Sequence, residues 1–325
     1  MHLAVYCPFL VSLLLGAAAP GLARGLPPAT AARLLTACSV VAAAASCAAL
    51  GFLASTVLGQ LPALAAAGHW SAGRLAATSP VPRGDALVAL AAVCVGAVNG
   101  LRVLGARGHA VLALRALGRS LPDSGQLVVV DDDIEAVAVP AGRGRILASR
   151  AHLADLPADE RRALLLHESA HLAHHHHLYR LAVDLAGAVD PLQRAVRPAV
   201  VYATERWADE EAAGAVGDRA VVARVLARSG LRAAGAPRAA WASLAMGRSG
   251  SPLVPRVRAL LGPAPRQRPE LLVAAVALAL LAVGSVVHAQ EDAETVFDHA
   301  VAVPHGDAAP LHLRTASREA AGPGR

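Results

Sequence analysis

Four long apolar runs set the frame of the chain: residues 3–19, 34–58, 86–104 and 271–287. A helix needs about 20 mostly apolar residues to cross about 30 Å of hydrocarbon, and each run meets that length or comes close to it. The second run carries no charge, and the third is interrupted only by Asn99 and Arg102 near its end. The first run ends in Ala17-Ala18-Ala19, which has the small residues of a signal-peptide cleavage site. Only His2 precedes it where a basic segment belongs, and a second apolar run follows closely, so the run reads as an uncleaved membrane helix. Residues 59–85, with Pro62, Gly68, Pro80, Pro82 and Gly84, read as a loop.

Between the third and fourth runs the pattern changes, and residues 106–268 are rich in charge. Ala110 to Leu117 predicts a separate amphipathic helix at the membrane surface. Pro122-Asp123-Ser124-Gly125 predicts a turn, and residues 126–130, 136–140 and 145–149 predict strands, the last two joined by Gly142-Arg143-Gly144. Together they predict a small antiparallel sheet. Pro157, Asp159 and Glu160 suit the first turn of a helix that runs through the apolar stretch Ala163 to Leu166. The predicted fold is a mainly α membrane protein, with about four transmembrane helices and an α+β domain inserted between the third and fourth. Its parts are three spans in 1–105, the inserted domain in 106–268, a fourth span in 269–288, and a short disordered tail in 289–325.

Composition sharpens this picture. Hydrophobic residues make up 55% of the chain, which fits a membrane protein better than a soluble one. The formal net charge is +6, and every basic side chain is arginine, since lysine does not occur. Scarce aromatics (3%) and the lack of a basic arm argue against direct nucleic-acid binding. Cys7, Cys38, Cys47 and Cys94 all lie in apolar runs without C-x-x-C spacing, and read as small apolar residues. Arg107, Arg115 and Arg119 follow the third run, and Arg256, Arg258, Arg266 and Arg268 precede the fourth. Arginine-rich flanks favour the cytoplasmic side, so the inserted domain is expected there.

The candidate chemistry lies in the inserted domain. His167, Glu168 and His171 spell H-E-x-x-H. Residues four apart share one face of a helix, so both imidazoles can grip one zinc ion, with Glu168 placed to take a proton from water beside it. A catalytic zinc takes three protein ligands, and the chain offers two candidates for the third. One is Glu205 in the segment Y-A-T-E-R-W-A-D, with Asp209 one turn on and able to orient a ligand imidazole. Pro191 and Pro198 break the chain between the two helices and let them pack together. The other is His177, ten residues after His167, but the glycine such a pattern needs at its eighth position is replaced by His174. Glu205 is the stronger candidate. His174 to His177 then read as a polar stretch near the site or at the end of its helix.

H-E-S-A-H (167–171) followed by E-R-W-A-D (205–209) resembles the BlaR/MecR-type membrane zinc metallopeptidases, and also the related heat-shock and CAAX-processing membrane endopeptidases. The segment 133–149 is similar to the family's substrate-edge strand and hairpin, and 252–260 to its late P-x-x-x-R segment, with Arg256 in the arginine place. Ser251 stands where that segment is often preceded by histidine. The β-lactam sensors of the family carry a penicillin-binding domain after the fourth span; the residues after 288 hold no S-x-x-K, so β-lactam sensing of that kind is not expected.

The resemblance implies a zincin-like domain with one catalytic Zn2+ held by His167, His171 and Glu205, Asp209 behind a ligand, and Glu168 as general base and acid. An extended substrate would add as a strand beside residues 136–139. Tyr202 and Arg256 are candidate oxyanion or substrate contacts. The implied partners are the lipid bilayer and a protein substrate, with a BlaI/MecI-like transcriptional repressor the favoured one; a homo-oligomer is also open. Membrane-protein quality control and a non-catalytic receptor or scaffold are the alternatives.

Overall fold

The computed structural model describes residues 4–79, 81–120, 125–131, 136–140, 143–235 and 252–301. A short 3-10 turn, Ala4–Tyr6, leads into the first helices, α1 (Cys7–Gly25) and α2 (Pro28–Leu58). Two short helices follow, α3 (Pro62–Gly68) and α4 (Ala72–Thr78), and then the long α5 (Arg83–Ser120). Next come β1 (Leu127–Val130), β2 (Ala136–Val139) and β3 (Arg145–Ser149), and the helices α6 (Arg150–Asp155), α7 (Ala158–Ala173) and α8 (His176–Val189). A 3-10 turn, Pro191–Ala195, joins α8 to α9 (Val196–Val216), followed by α10 (Arg219–Gly235), α11 (Leu253–Leu261) and α12 (Pro269–Val301). Among the described residues, four helical segments are long and apolar enough to cross a membrane: Cys7–Gly25, Pro28–Leu58, Arg83–Ala113 and Pro269–His288. The architecture is that of a mainly α membrane protein carrying a small sheet.

Several details differ from the expectations, each for a local reason. The segment 110–117 is not a separate helix but the continuation of α5. Gly105 and Gly108 disfavour a helix by only about 1 kcal/mol each, and no proline stands there to stop it. The loop expected at 59–85 folds into α3 and α4, each followed by a residue that ends its helical hydrogen bonding. The helix α12 runs on to Val301, through part of the segment expected to be a disordered tail, because Ala, Gln and Glu favour helix; residues 302–325 lie outside the described residues.

The sheet is mixed rather than antiparallel. Its order is β1-β3-β2, with β3 paired antiparallel to β2 and parallel to β1. The central β3 has four of its five residues buried. Among the described residues, the strand β2 is left at one edge, beside α7.

The apolar helices and the inserted segment share one core. Leu15, Ala19, Leu22 and Ala23 of α1 and Leu35, Cys38 and Ala42 of α2 pack with Val183 of α8 and with Val196, Val200, Tyr202, Ala203 and Trp207 of α9. A second core joins the sheet, α7, α10 and the far end of α9, where Ala212 and Ala213 are buried. The helix α9 therefore belongs to both cores.

The turn between α8 and α9 enters the bundle near the middle of three apolar helices. A Cβ built on Gly16 of α1 would lie 3.2 Å from both the Ala195 Cβ and the Leu192 carbonyl oxygen. One built on Gly96 of α5 would lie 3.2 Å from the Val189 carbonyl oxygen. Glycine at these two places lets backbone approach backbone. Asp190, buried in this turn, accepts a hydrogen bond from Ser12 Oγ (2.7 Å) and one from the Leu192 N–H (3.0 Å). Ser12 Oγ also lies 3.2 Å from Ser46 Oγ of α2. These contacts satisfy a buried carboxylate that would otherwise be costly in an apolar setting.

A bulky side chain at the closest approach should force the turn out of the bundle. Gly16→Leu is expected to lower stability by about 1–3 kcal/mol, read as a lower thermal midpoint of the purified full chain, while Gly21→Leu, where a Cβ meets nothing within 4 Å, leaves it nearly unchanged.

Candidate metal centre

His167 and His171 sit on one face of α7, and Glu205 comes from α9, which packs against α7. The three residues form a group whose ligand atoms all lie within 4.8 Å of one another. His167 Nε2 lies 3.2 Å from His171 Nε2 and 3.7 Å from Glu205 Oε2, and His171 Nε2 lies 3.6 Å from Glu205 Oε1. Zinc ligands at about 2.1 Å in a tetrahedron stand about 3.4 Å apart, so the three donors are spaced as a metal ion would need them. Two neutral nitrogens and a carboxylate suit zinc in softness and charge.

The surroundings hold these donors in place. Asp209, fully buried one turn after Glu205, brings Oδ1 to 3.1 Å from His167 Nδ1. That contact leaves His167 Nε2 for the ion, the usual arrangement of a metal-ligating imidazole backed by a carboxylate. Arg256 of α11 forks onto Asp209 with Nε at 2.8 Å and Nη2 at 2.6 Å, and places Nη1 2.8 Å from Glu205 Oε2. Arg180 of α8 gives Nη2 to Glu205 Oε1 at 2.6 Å. Two buried carboxylates thus meet two buried guanidinium groups, which makes an uncompensated charge there unnecessary.

Each pKa follows from this packing. Burial alone would raise Glu205 and Asp209, but Arg256 above all, with the histidines, pulls both below the usual carboxylate range. Burial works against a charged His167, yet Asp209 and Glu205 outweigh it and push it up to about 10. Burial, helped by His167, Arg180 and His176, pushes His171 well down against the pull of Glu205. A metal ion held here would take the place of the proton on His167, so its binding would be coupled to proton release.

The histidine run does more than line the site. The helix α7 ends at Ala173, and His175 adopts a left-handed conformation (φ 50°) that turns the chain into α8. His174 stacks on Trp207 with ring centroids 4.3 Å apart, and its Nε2 lies 2.6 Å from Glu211 Oε2. His176 is buried, and its Nδ1 lies 2.8 Å from His171 Nδ1. Burial, then Arg180, brings His176 down to about 3, so it stays neutral and can accept the His171 N–H. That leaves His171 Nε2 facing the donor group. His177 lines the neighbouring cavity but does not belong to the metal group.

The cavity is about 240 Å³ and opens between α7, β2 and α10. Its polar wall holds His167, Glu168, His171, Glu205 and Arg256, and its apolar wall includes Leu164, Val225 and Leu253. Glu168 Oε2 accepts the Ala138 N–H at 2.7 Å. The edge strand β2 therefore turns a backbone donor toward the site. Arg256 reaches the cavity, but its guanidinium is engaged with both carboxylates. Tyr202 packs in the apolar core with α1 and α2 and does not line the cavity, so its position does not suit an oxyanion contact.

His176 and Arg180 were not singled out by the sequence. His176 looks like one of four equivalent histidines until the chain turns at His175, and Arg180 looks like a surface charge until α8 lies against α9. The only early signal is that both follow the H-E-x-x-H helix by a few residues.

Residues 106–227 match the model of peptidase family M48. The match covers less than half of the chain and includes His167, Glu168, His171, Glu205 and Asp209, but not Arg256. No curated protein and no solved structure matches the chain. The match supports a metallopeptidase, hence a hydrolase, and the His-His-Glu group provides a place where a metal ion could be held.

Losing a residue that orients a metal-ligating imidazole typically costs 10–100-fold in metal affinity. His176→Ala is expected to weaken zinc binding by about that factor, measured by chelator competition on the full chain. A companion thermal unfolding curve of the metal-free protein separates this effect from general destabilisation.

Proposed function

We propose that the chain is a membrane-bound zinc endopeptidase that cuts a protein at or near the bilayer surface. The observation that carries this reading is the placement of Glu168 between the His167–His171–Glu205 group and the outward-facing Ala138 N–H of an edge strand. It puts a proton-transfer group and a peptide-binding edge at the two sides of one cavity.

Zinc, held by His167, His171 and Glu205, would act as a Lewis acid toward water and the scissile carbonyl. The chain's own residues supply the rest. The open edge of β2 offers backbone hydrogen bonds to an extended substrate, which fixes its register and admits only unfolded or looped segments. Such a segment competes with Glu168 for the Ala138 N–H, and so frees the carboxylate to work on the substrate side. Glu168 then takes a proton from water and delivers it to the leaving amide nitrogen. Val225, Leu226 and Leu253 shape an apolar wall suited to an apolar side chain near the cut. Asp209, Arg256, Arg180 and His176 hold the ligands still throughout.

The substrate favoured by the likeness to BlaR/MecR-type enzymes is a BlaI/MecI-like transcriptional repressor, which would make this regulated proteolysis in a signalling pathway. The arginine-rich flanks of 106–268 favour a cytoplasmic site, where such a repressor would be met. A second reading, quality control of membrane proteins, is favoured by the contact between α9 and the apolar helices α1 and α2, which keeps the metal group close to the bundle. A single cut in one repressor supports the first; many cuts in damaged membrane proteins support the second.

Glu168→Gln keeps the size of the side chain and removes its basicity. Proteolysis should fall by a factor of at least about 100, while zinc content stays near one per chain, read by metal analysis alongside comparison of protein termini in cells carrying either form. Unchanged termini together with an unchanged phenotype would instead favour a non-catalytic scaffold.

A further inference from the structure

A second cavity, of about 360 Å³, lies toward the C-terminal end of α8, between α5 and the start of α9. Arg102 of α5, Arg194 of the turn and Arg197 of α9 line it, together with Asn99 and Asp184. Asp184 pairs with Arg107 and with Arg197 Nε at 2.5 Å. Arg194 Nε donates to the Gly187 carbonyl at 3.1 Å, which holds the stem of that side chain against α8. Arg102 is exposed and has no ion pair among the described residues. Three arginines and one carboxylate thus line the cavity, and its face carries an excess of two positive charges.

The position of this cavity narrows the ligand. Asn99 and Arg102 lie where the apolar run of α5 ends, the level at which a spanning helix meets the headgroups. Below Arg102 on the same helix face stand Val98, Val95 and Val88, 48%, 59% and 70% exposed. Their spacing of 4, 3 and 7 residues keeps them in one stripe, about 21 Å long at 1.5 Å per residue. That is enough to lie along an acyl chain in one leaflet of about 15 Å. A soluble anion would leave the apolar stripe unused, whereas a lipid uses both the arginine cluster and the stripe.

The geometry points to a binding site for an anionic phospholipid on the membrane reading of α5, with the phosphate of the headgroup between Arg102, Arg194 and Arg197 and an acyl chain along the valine stripe. None of these side chains belongs to the metal centre. The site grips the base of the α8–α9 hairpin, whose two helices supply Arg180, His176, Glu205 and Asp209, so a bound lipid would brace the hairpin from outside.

The test is native mass spectrometry of the full chain in detergent, titrated with phosphatidylglycerol, with phosphatidylcholine, or with inorganic phosphate alone. Phosphatidylglycerol should be retained in preference to phosphatidylcholine, and millimolar phosphate should neither bind nor displace it. Each arginine near a headgroup contributes roughly a fivefold factor in affinity, so Arg102→Ala/Arg194→Ala should weaken retention about 30-fold. Arg258→Ala, an exposed arginine on α11, should leave it unchanged. Arg102→Ala alone, which breaks no ion pair seen among the described residues, should lose about fivefold and keeps the test valid if the double variant fails to fold. Equal retention of both lipids, wild-type retention by Arg102→Ala, or displacement by phosphate alone would overturn the assignment.

Discussion

Everything at this site depends on two carboxylates, one helical turn apart, held in a helix that is buried along most of its length. Glu205 and Asp209 would be expensive in such surroundings if left alone. Arg256 engages both, Arg180 engages the first, and the two imidazoles of α7 close the group from the other side. The result is a compact charge network whose members fix one another's positions. Breaking any partner leaves a buried charge without compensation, so the network defines the relative placement of α7, α8, α9 and α11 more sharply than apolar packing alone would.

That placement explains the unusual role of α9. It packs in the apolar core with α1 and α2 through Val196, Val200, Ala203 and Trp207, and in the core under the sheet through Ala212 and Ala213. The ligand Glu205 lies between these two regions. A single helix therefore links the core of the apolar helices with the candidate metal group. The Ser12–Asp190 hydrogen bond and the close approach at Gly16 tie the lower end of the same hairpin to the bundle.

Much of this was legible in the sequence, and the limits have physical causes. The apolar runs and H-E-x-x-H were readable because both rest on local spacing, 3.6 residues per turn and hydrocarbon thickness. Glu205 and Asp209 were readable because they share that spacing and a known motif. The parallel pairing of β1 with β3 was not, since alternation shows that a strand exists but not which neighbour it takes. The continuation of α5 past 110 was missed because charge was read as a boundary, whereas helices pass from lipid to water without stopping. His176 and Arg180 were missed because their roles depend on a turn at His175 and on a contact between distant helices. Tyr202 lies about one turn before Glu205 on α9, yet its ring packs into the core shared with α1 and α2, a partner that spacing along one helix does not reveal.

The account stands or falls on what the His167, His171 and Glu205 group holds. X-ray absorption at the zinc edge, on the full chain purified without added metal, reads the ligands directly. The account predicts two imidazole nitrogens and a carboxylate oxygen at about 2.0–2.2 Å, with the imidazole signal lost in His167→Ala/His171→Ala. A zinc shell of sulfur, an all-oxygen shell of six, or an unchanged spectrum in that variant would contradict it.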